Sequence, residues 1–144
     1  RYNTVWATVL NGTSTNALYA DLAENYLGDA QYEPGTVLVF GGVAEVTVTN
    51  TKGDRRVAGI VSTNPAHLMN SALEGEHVIA LALQGRVPCK VLGKVEKGDI
   101  LVSAGIAGYA IVDNDAKVGT VIGKAVSAKD DNGYGIVEIV VGRV

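Results

Sequence analysis

No apolar run in this 144-residue chain goes far before a glycine, asparagine or aspartate interrupts it. That punctuation limits the fold more than any other feature. A helix that buries one face needs several unbroken turns with apolar residues every three to four positions. A strand needs only a few residues between tight turns. The interrupted runs are also rich in Val, Thr and Ile, whose branched side chains suit a pleated surface. Strands are therefore expected over residues 4–10, 37–40, 45–49, 57–62, 77–83, 87–91, 100–102, 119–125 and 135–141.

Helix has few places to form. Residues 18–28 carry the strongest helical signal, because Asp21 is followed three positions later by Glu24 in the pattern of a capping box, with Gly28 as a stop. Residues 64–70 are expected to make a second, single turn. The fold class that follows is mainly β: a compact antiparallel barrel or sandwich-like domain with one or two short helices.

Two stretches of the chain resemble each other. Glu33-Pro34-Gly35-Thr36-Val37-Leu38-Val39 matches Glu96-Lys97-Gly98-Asp99-Ile100-Leu101-Val102. Each is followed by a glycine-broken strand, Val57-Ala58-Gly59-Ile60-Val61-Ser62 in one case and Val121-Ile122-Gly123-Lys124-Ala125-Val126 in the other. A turn glycine feeding a buried strand that pairs with a later glycine-broken strand predicts two similar β-units.

The length suits one core, so residues 17–144 read as a single β-rich domain and residues 1–16 as a strand and linker. Because the chain starts at Arg1, that linker is expected to continue from an upstream segment. Charged residues make up 19% and apolar residues 47%, fewer charges than usually coat a monomer of this size, so part of the apolar surface is expected to meet other subunits. A homotrimer is expected, with residues 2–10 and 137–144 contributing apolar side chains such as Trp6, Ile139, Val140 and Val141. The formal charge of −3 without a basic cluster argues against a nucleic-acid partner. No apolar run approaches the roughly 18 residues of a membrane-crossing helix, so membrane insertion is not expected.

Candidate chemistry is sparse. His67 and His77, with Glu74 and Glu76 nearby, lack the short fixed spacing of zinc ligands. Ser62, Ser103 and the single cysteine, Cys89, have no nucleophile context and are read as structural. The run Gly119-Thr120-Val121-Ile122-Gly123-Lys124 ends in Ala125 where a phosphate loop needs Ser or Thr. No cofactor and no metal are expected. Trp6 and the tyrosines at 2, 19, 26, 32, 109 and 134 fit core or interface packing, and stacking on a host-surface glycan is the alternative.

At Tyr19-Ala20-Asp21-Leu22-Ala23-Glu24 and Tyr32-Glu33-Pro34-Gly35-Thr36-Val37-Leu38 the chain resembles a module of tailed-phage fibres and appendages. Residues 58–66, 82–91, 97–102 and 122–125 follow in the same order as in that module, so the resemblance spans roughly residues 17–144. It is closest to versions from marine, cyanophage-like viruses, and more distantly similar to the self-cleaving intramolecular chaperone of the peptidase G2 type. The resemblance implies a C-terminal fibre domain, usually trimeric, that registers three chains or closes the fibre end of a virion. In some relatives the domain cuts itself from the shaft before the Asp of an Asp-x-x-Glu motif. Here that bond is Ala20–Asp21, with Glu24 as the second acid. The surrounding residues depart from the chaperone type, which lacks the Asn25-Tyr26 continuation and carries a Trp-rich stretch instead. Two readings of the pair stand side by side: carboxyl groups that activate water and protonate a leaving amine, or a helix cap without chemistry.

Overall fold

The computed structural model describes residues 20–142. Ten strands follow one another: β1 (Asp21–Leu27), β2 (Val37–Phe40), β3 (Val46–Thr47), β4 (Val57–Val61), β5 (His67–Met69), β6 (Val78–Leu92), β7 (Ile100–Ser103), β8 (Ala110–Val112), β9 (Val121–Ala125) and β10 (Tyr134–Val141). All belong to one sheet system, and no helix occurs among the described residues. The expected strand at residues 4–10 lies outside them.

Both helical expectations are overturned. Residues 21–27 form β1, paired antiparallel with β6 from Asp21↔Gly85 to Leu27↔Val78. Burial along it follows a period of two, with Asp21, Ala23 and Asn25 buried and Leu22, Glu24 and Tyr26 half-buried between them. A capping pattern is a local preference worth about 1 kcal/mol. A full edge of ladder bonds plus burial of alternate side chains outweighs it. The second expected turn, at 64–70, is instead β5, which lies parallel to β1 through Leu22↔His67, Ala23↔Leu68 and Glu24↔Met69. Asn70 ends β5 with φ of 58°, and its side-chain amide donates to the Asn25 carbonyl at 3.2 Å.

The two expected strands at 77–83 and 87–91 are one. β6 runs unbroken for 15 residues, and its two halves have different partners. Its first half pairs with β1 and β4, its second with β10 and β8. Around the first half, β1, β6, β4, β2 and β3 form a ring, closed by a parallel bridge between Gly28 and Val46. Around the second half, β6, β10, β9, β7 and β8 form another, closed by the parallel bridge Val91↔Ala110. β6 is thus the last strand of one unit and the first strand of the next.

The two units agree residue by residue. In the first, Val37↔Ile60, Leu38↔Gly59 and Val39↔Val57 pair, with a register shift after Leu38. In the second, Ile100↔Lys124, Leu101↔Gly123 and Val102↔Val121 pair, with the shift after Leu101. Gly35 and Gly98 open the two repeats at φ of 90° and 89°, a region that favours glycine. Their amides donate to Val61 and Ala125 at 2.9 and 2.8 Å. Farther on, Ser62 N–H reaches the Ala80 carbonyl as Val126 N–H reaches Glu138, both at 2.8 Å. The repeat legible in the sequence is therefore a repeat of structure.

Packing repeats as well. The smaller core cluster holds Leu38, Val46, Ala58, Val61, Ile79 and Leu81. Their counterparts by register, Leu101, Ala110, Ile122, Ala125, Val137 and Ile139, all lie in the larger one. That larger cluster also takes in Val37, Val39, Val57, Ile60 and Ala82 from the opposite face of the first unit, so the second unit packs there. Strands covered on both faces lose their alternation, which is why every residue of β4 is buried. Cys89 sits wholly inside the second ring, where burial pushes its thiol pKa well above the usual range.

The central glycine of β4 and of β9 has no room for a side chain. A methyl group at Gly59 would run into the Ala82 carbonyl on β6, and one at Gly123 into the Val140 carbonyl on β10. Gly59→Ala and Gly123→Ala are each expected to destabilise the domain by about 1–3 kcal/mol, the usual cost of overpacking. Gly105→Ala, whose nearest neighbour is a carbonyl at an ordinary 3.7 Å, should stay within about 0.5 kcal/mol of the parent. Urea denaturation of the three variants checks this.

Candidate functional site

β1 carries the two candidate acids, and its extended backbone separates them. Positions three apart on a strand point to opposite faces and lie about 10 Å apart along the chain. Asp21 faces inward and is 3% exposed. Glu24 is half-buried on the other side, where it accepts a hydrogen bond from the Tyr26 hydroxyl at 3.1 Å. The structure does not gather the two carboxylates at one site, and neither caps a helix.

Asp21 stands in an unusual setting. Its carbonyl accepts from the Ala66 amide at 2.9 Å, and the preceding Ala20 carbonyl accepts from Arg86 N–H at 3.1 Å. Ser62 is the side chain near it that favours its charged form, yet its Oδ2 is buried without a partner. Burial holds the carboxyl pKa above its ordinary value, with Ser62 working the other way. The group borders a cavity of about 150 Å³ shared with Pro34, Gly35, Val61, Ser62, Thr63, Asn64, Val87, Pro88 and Ile136. The sequence singles out Asp21 as a cap and as the acid after the Ala20–Asp21 bond, whereas Ser62, read there as structural, follows directly on β4 and is brought to Asp21 only by the fold.

The remaining candidates are dispersed. His67 is exposed on β5, and His77 lies 3.8 Å from Glu76. No group of three or more His, Cys, Asp or Glu side chains is gathered among the described residues. Ser103 proves to be a tie between units: its hydroxyl accepts from Asp54 N–H and donates to the Thr51 carbonyl, both at 2.8 Å. Tyr26 meets Phe40 edge to face, and Tyr32 donates to Asp29. Tyr109 and Tyr134 form a second edge-to-face pair, 4.9 Å between centroids, beside the Lys90–Glu33 ion pair of 2.5 Å. Trp6, Tyr2 and Tyr19 lie outside the described residues.

The apolar C-terminal strand needs one correction. Val137, Ile139 and Val141 point into the core, at 2%, 0% and 4% exposure, and so do not offer a subunit interface. Alternation along β10 presents the other set, Tyr134, Ile136 and Val140, at 59%, 65% and 44% exposure. Glu138 interrupts that outward row and pairs with Arg86 at 2.7 Å.

Comparison with solved structures places the fold. Over 84% of this chain and 99% of the other, it matches the C-terminal fragment of bacteriophage phi29 gene product 12, with a TM-score of 0.59 and 13% identity. Against the pre-mature form of the same phage protein the TM-score is 0.63 at 12% identity, over 96% of this chain. The chain spans 23% of the length of that longer protein. No protein-family model and no curated protein matches the sequence. The fold is thus a compact all-β one that is also found in a bacteriophage protein.

One buried carboxylate holds the β3–β4 loop. Asp54 accepts from Thr49 Oγ1 at 2.7 Å, from Arg56 N–H and Nε at 2.9 and 3.1 Å, and from a second guanidinium nitrogen at 2.9 Å. Arg56 foremost, then Thr49, hold its carboxyl far below the usual range. A depressed folded-state pKa means that the stabilisation is complete above the unfolded value of about 3.8 and disappears as pH falls below it. Asp54→Asn should cost about 2 kcal/mol at neutral pH. The gap to the parent should narrow progressively as pH falls below about 4, without closing until pH passes the strongly depressed folded-state value, which thermal unfolding across a pH series measures.

Proposed function

We propose that the chain is the C-terminal domain of a virion fibre or appendage protein, and that it trimerises or caps the end of the fibre. The observation that carries this reading is the match to nearly the whole of a C-terminal fragment from a phage protein. The low charge of the chain and the outward apolar row on β10 support it. Large apolar side chains facing outward along one strand, here broken by Glu138, can meet around an axis when three chains associate, and closed symmetry leaves no face to recruit more copies. Sedimentation equilibrium at micromolar concentration is expected to give three times the 14.9 kDa of one chain. Tyr134→Lys combined with Val140→Lys should reduce that to one chain while keeping the β circular-dichroism spectrum. A parent that stays at 14.9 kDa overturns trimerisation by this domain.

A second reading is single-turnover cleavage between Ala20 and Asp21, by addition of water across that peptide bond. The observation in its favour is the burial of the Asp21 carboxyl beside the bond, which raises its pKa and suits a proton donor. Glu24 of the same chain faces away, so the work falls to Asp21. Intact-mass measurement on freshly synthesised chain with an upstream extension is expected to show a fragment beginning at Asp21, and Asp21→Asn should abolish it. An uncut chain after prolonged incubation rules the reading out.

A further inference from the structure

Gly85 is the one residue inside a described strand with positive φ, 100° in the middle of β6, and it lies opposite the Ala20–Asp21 bond. A Cβ added to it would stand 2.3 Å from the Ala20 carbonyl oxygen, 3.2 Å from the carbonyl carbon and 2.9 Å from the Asp21 Cα. Among the described residues no other glycine of positive φ brings its missing Cβ under 3 Å from another stretch of main chain. The next residue uses that proximity, for Arg86 N–H donates to the Ala20 carbonyl at 3.1 Å. Pairing of β1 with β6 also slips just beyond, with a bulge after Leu22. Left-handed backbone and bulges both concentrate at sites of chemistry, where they aim a group that a regular ladder would not. Ala20 itself is exposed, which gives water an approach.

Hydrolysis of this bond puts negative charge on one atom, the Ala20 carbonyl oxygen, when the oxygen of water bonds to the carbonyl carbon. A main-chain N–H already fixed on that oxygen stabilises the charge without reorganising. At 3.1 Å the Arg86 bond is at the long end for a neutral pair, and it tightens toward the roughly 2.7–2.9 Å of a charge-assisted bond as the charge develops. It is therefore stronger in the transition state than before it, which is the condition for raising the rate. We propose, resting on the cleavage read above, that the Arg86 main-chain N–H holds the oxyanion and that Gly85 is the positioning residue that brings it there. The bond from the Ala20 carbonyl carbon to the Asp21 nitrogen then breaks. The water oxygen stays in the new Ala20 carboxyl group and the Asp21 nitrogen leaves as an amine with the proton that the water gives up, so one water is consumed.

Intact mass of a freshly synthesised chain with an upstream extension, followed over time, gives the rate of cutting. An ester in place of the Gly85–Arg86 amide removes the N–H while keeping the side chain, and is expected to slow the cut about a hundredfold. The same replacement of the Ala125–Val126 amide is the control, because Val126 N–H makes a comparable main-chain bond, to the Glu138 carbonyl at 2.8 Å, in the second unit. It should lower the melting temperature as much and leave the rate unchanged, whereas a purely structural role for the Arg86 N–H slows both alike. Arg86→Ala keeps the N–H and should cut at the parent rate. Gly85→Ala should slow the cut as the Arg86 ester does, and if it fails to fold the ester decides. A parent that is never cut overturns the cleavage itself. A parent that is cut, with the Arg86 ester cut as fast or the Val126 ester slowed as much, overturns only the roles given to Arg86 and Gly85.

Discussion

Everything in this domain hangs from the continuity of β6. Its first half closes one ring of strands and its second half begins the other. Neither ring can release β6 without taking an inner wall from its neighbour. The shared strand carries buried side chains into both clusters, Ile79 and Leu81 on one side, Val87, Cys89 and Val91 on the other. A small domain without an intrachain disulfide must stabilise itself by packing, and sharing a strand lets two modest cores act as one. The tie made by Ser103 to the loop around Asp54 adds a polar cross-link between the same two units.

Much of this was legible in the sequence. The strands at Val37, Val57, Ile100, Val121 and Gly135 were readable because branched residues and turn glycines agree there. The repeat was readable because the requirements that recur, a left-handed glycine before β2 and β7 and a bare backbone in β4 and β9, allow almost no substitution. β1 was not readable. Asp-Leu-Ala-Glu-Asn-Tyr-Leu satisfies helical capping and strand alternation at once, and only the distant edge of β6 decides between them. The fusion of two short strands into β6 escaped for a related reason: Gly85 looks like a break, yet the strand continues through it with φ of 100°. β8 is three residues long and has too little pattern to register.

The candidate site was legible only in part. Asp21 drew notice through its spacing to Glu24, and that spacing has no meaning on a strand. What gives Asp21 its character is desolvation and the approach of Ser62, both products of tertiary packing. Ser103 and Asp54 were equally silent, since a buried serine hydroxyl or a bidentate carboxylate has no local signature. The glycines that fix the register were visible because their constraint acts on the chain itself, whereas these polar contacts act between distant segments.

Two units built on one register create a sorting problem during folding. Before either ring closes, β2 faces a choice between β4 and β9, two segments that offer the same bulge and the same bare glycine. Swapped pairing of this kind is a known hazard of repeated sequence. One position discriminates sharply: Val37 is paired with Ile60, and the corresponding position in β9 is Lys124. Pairing β2 with β9 would carry an ammonium group toward a face that is buried in the native first unit, while pairing β7 with β4 would leave Ile60 on the open side of the second. Of the three exchanges between the matched strands, Ala58 for Ile122, Ile60 for Lys124 and Val61 for Ala125, only the isoleucine-for-lysine one changes polarity, and it favours pairing of each segment within its own ring.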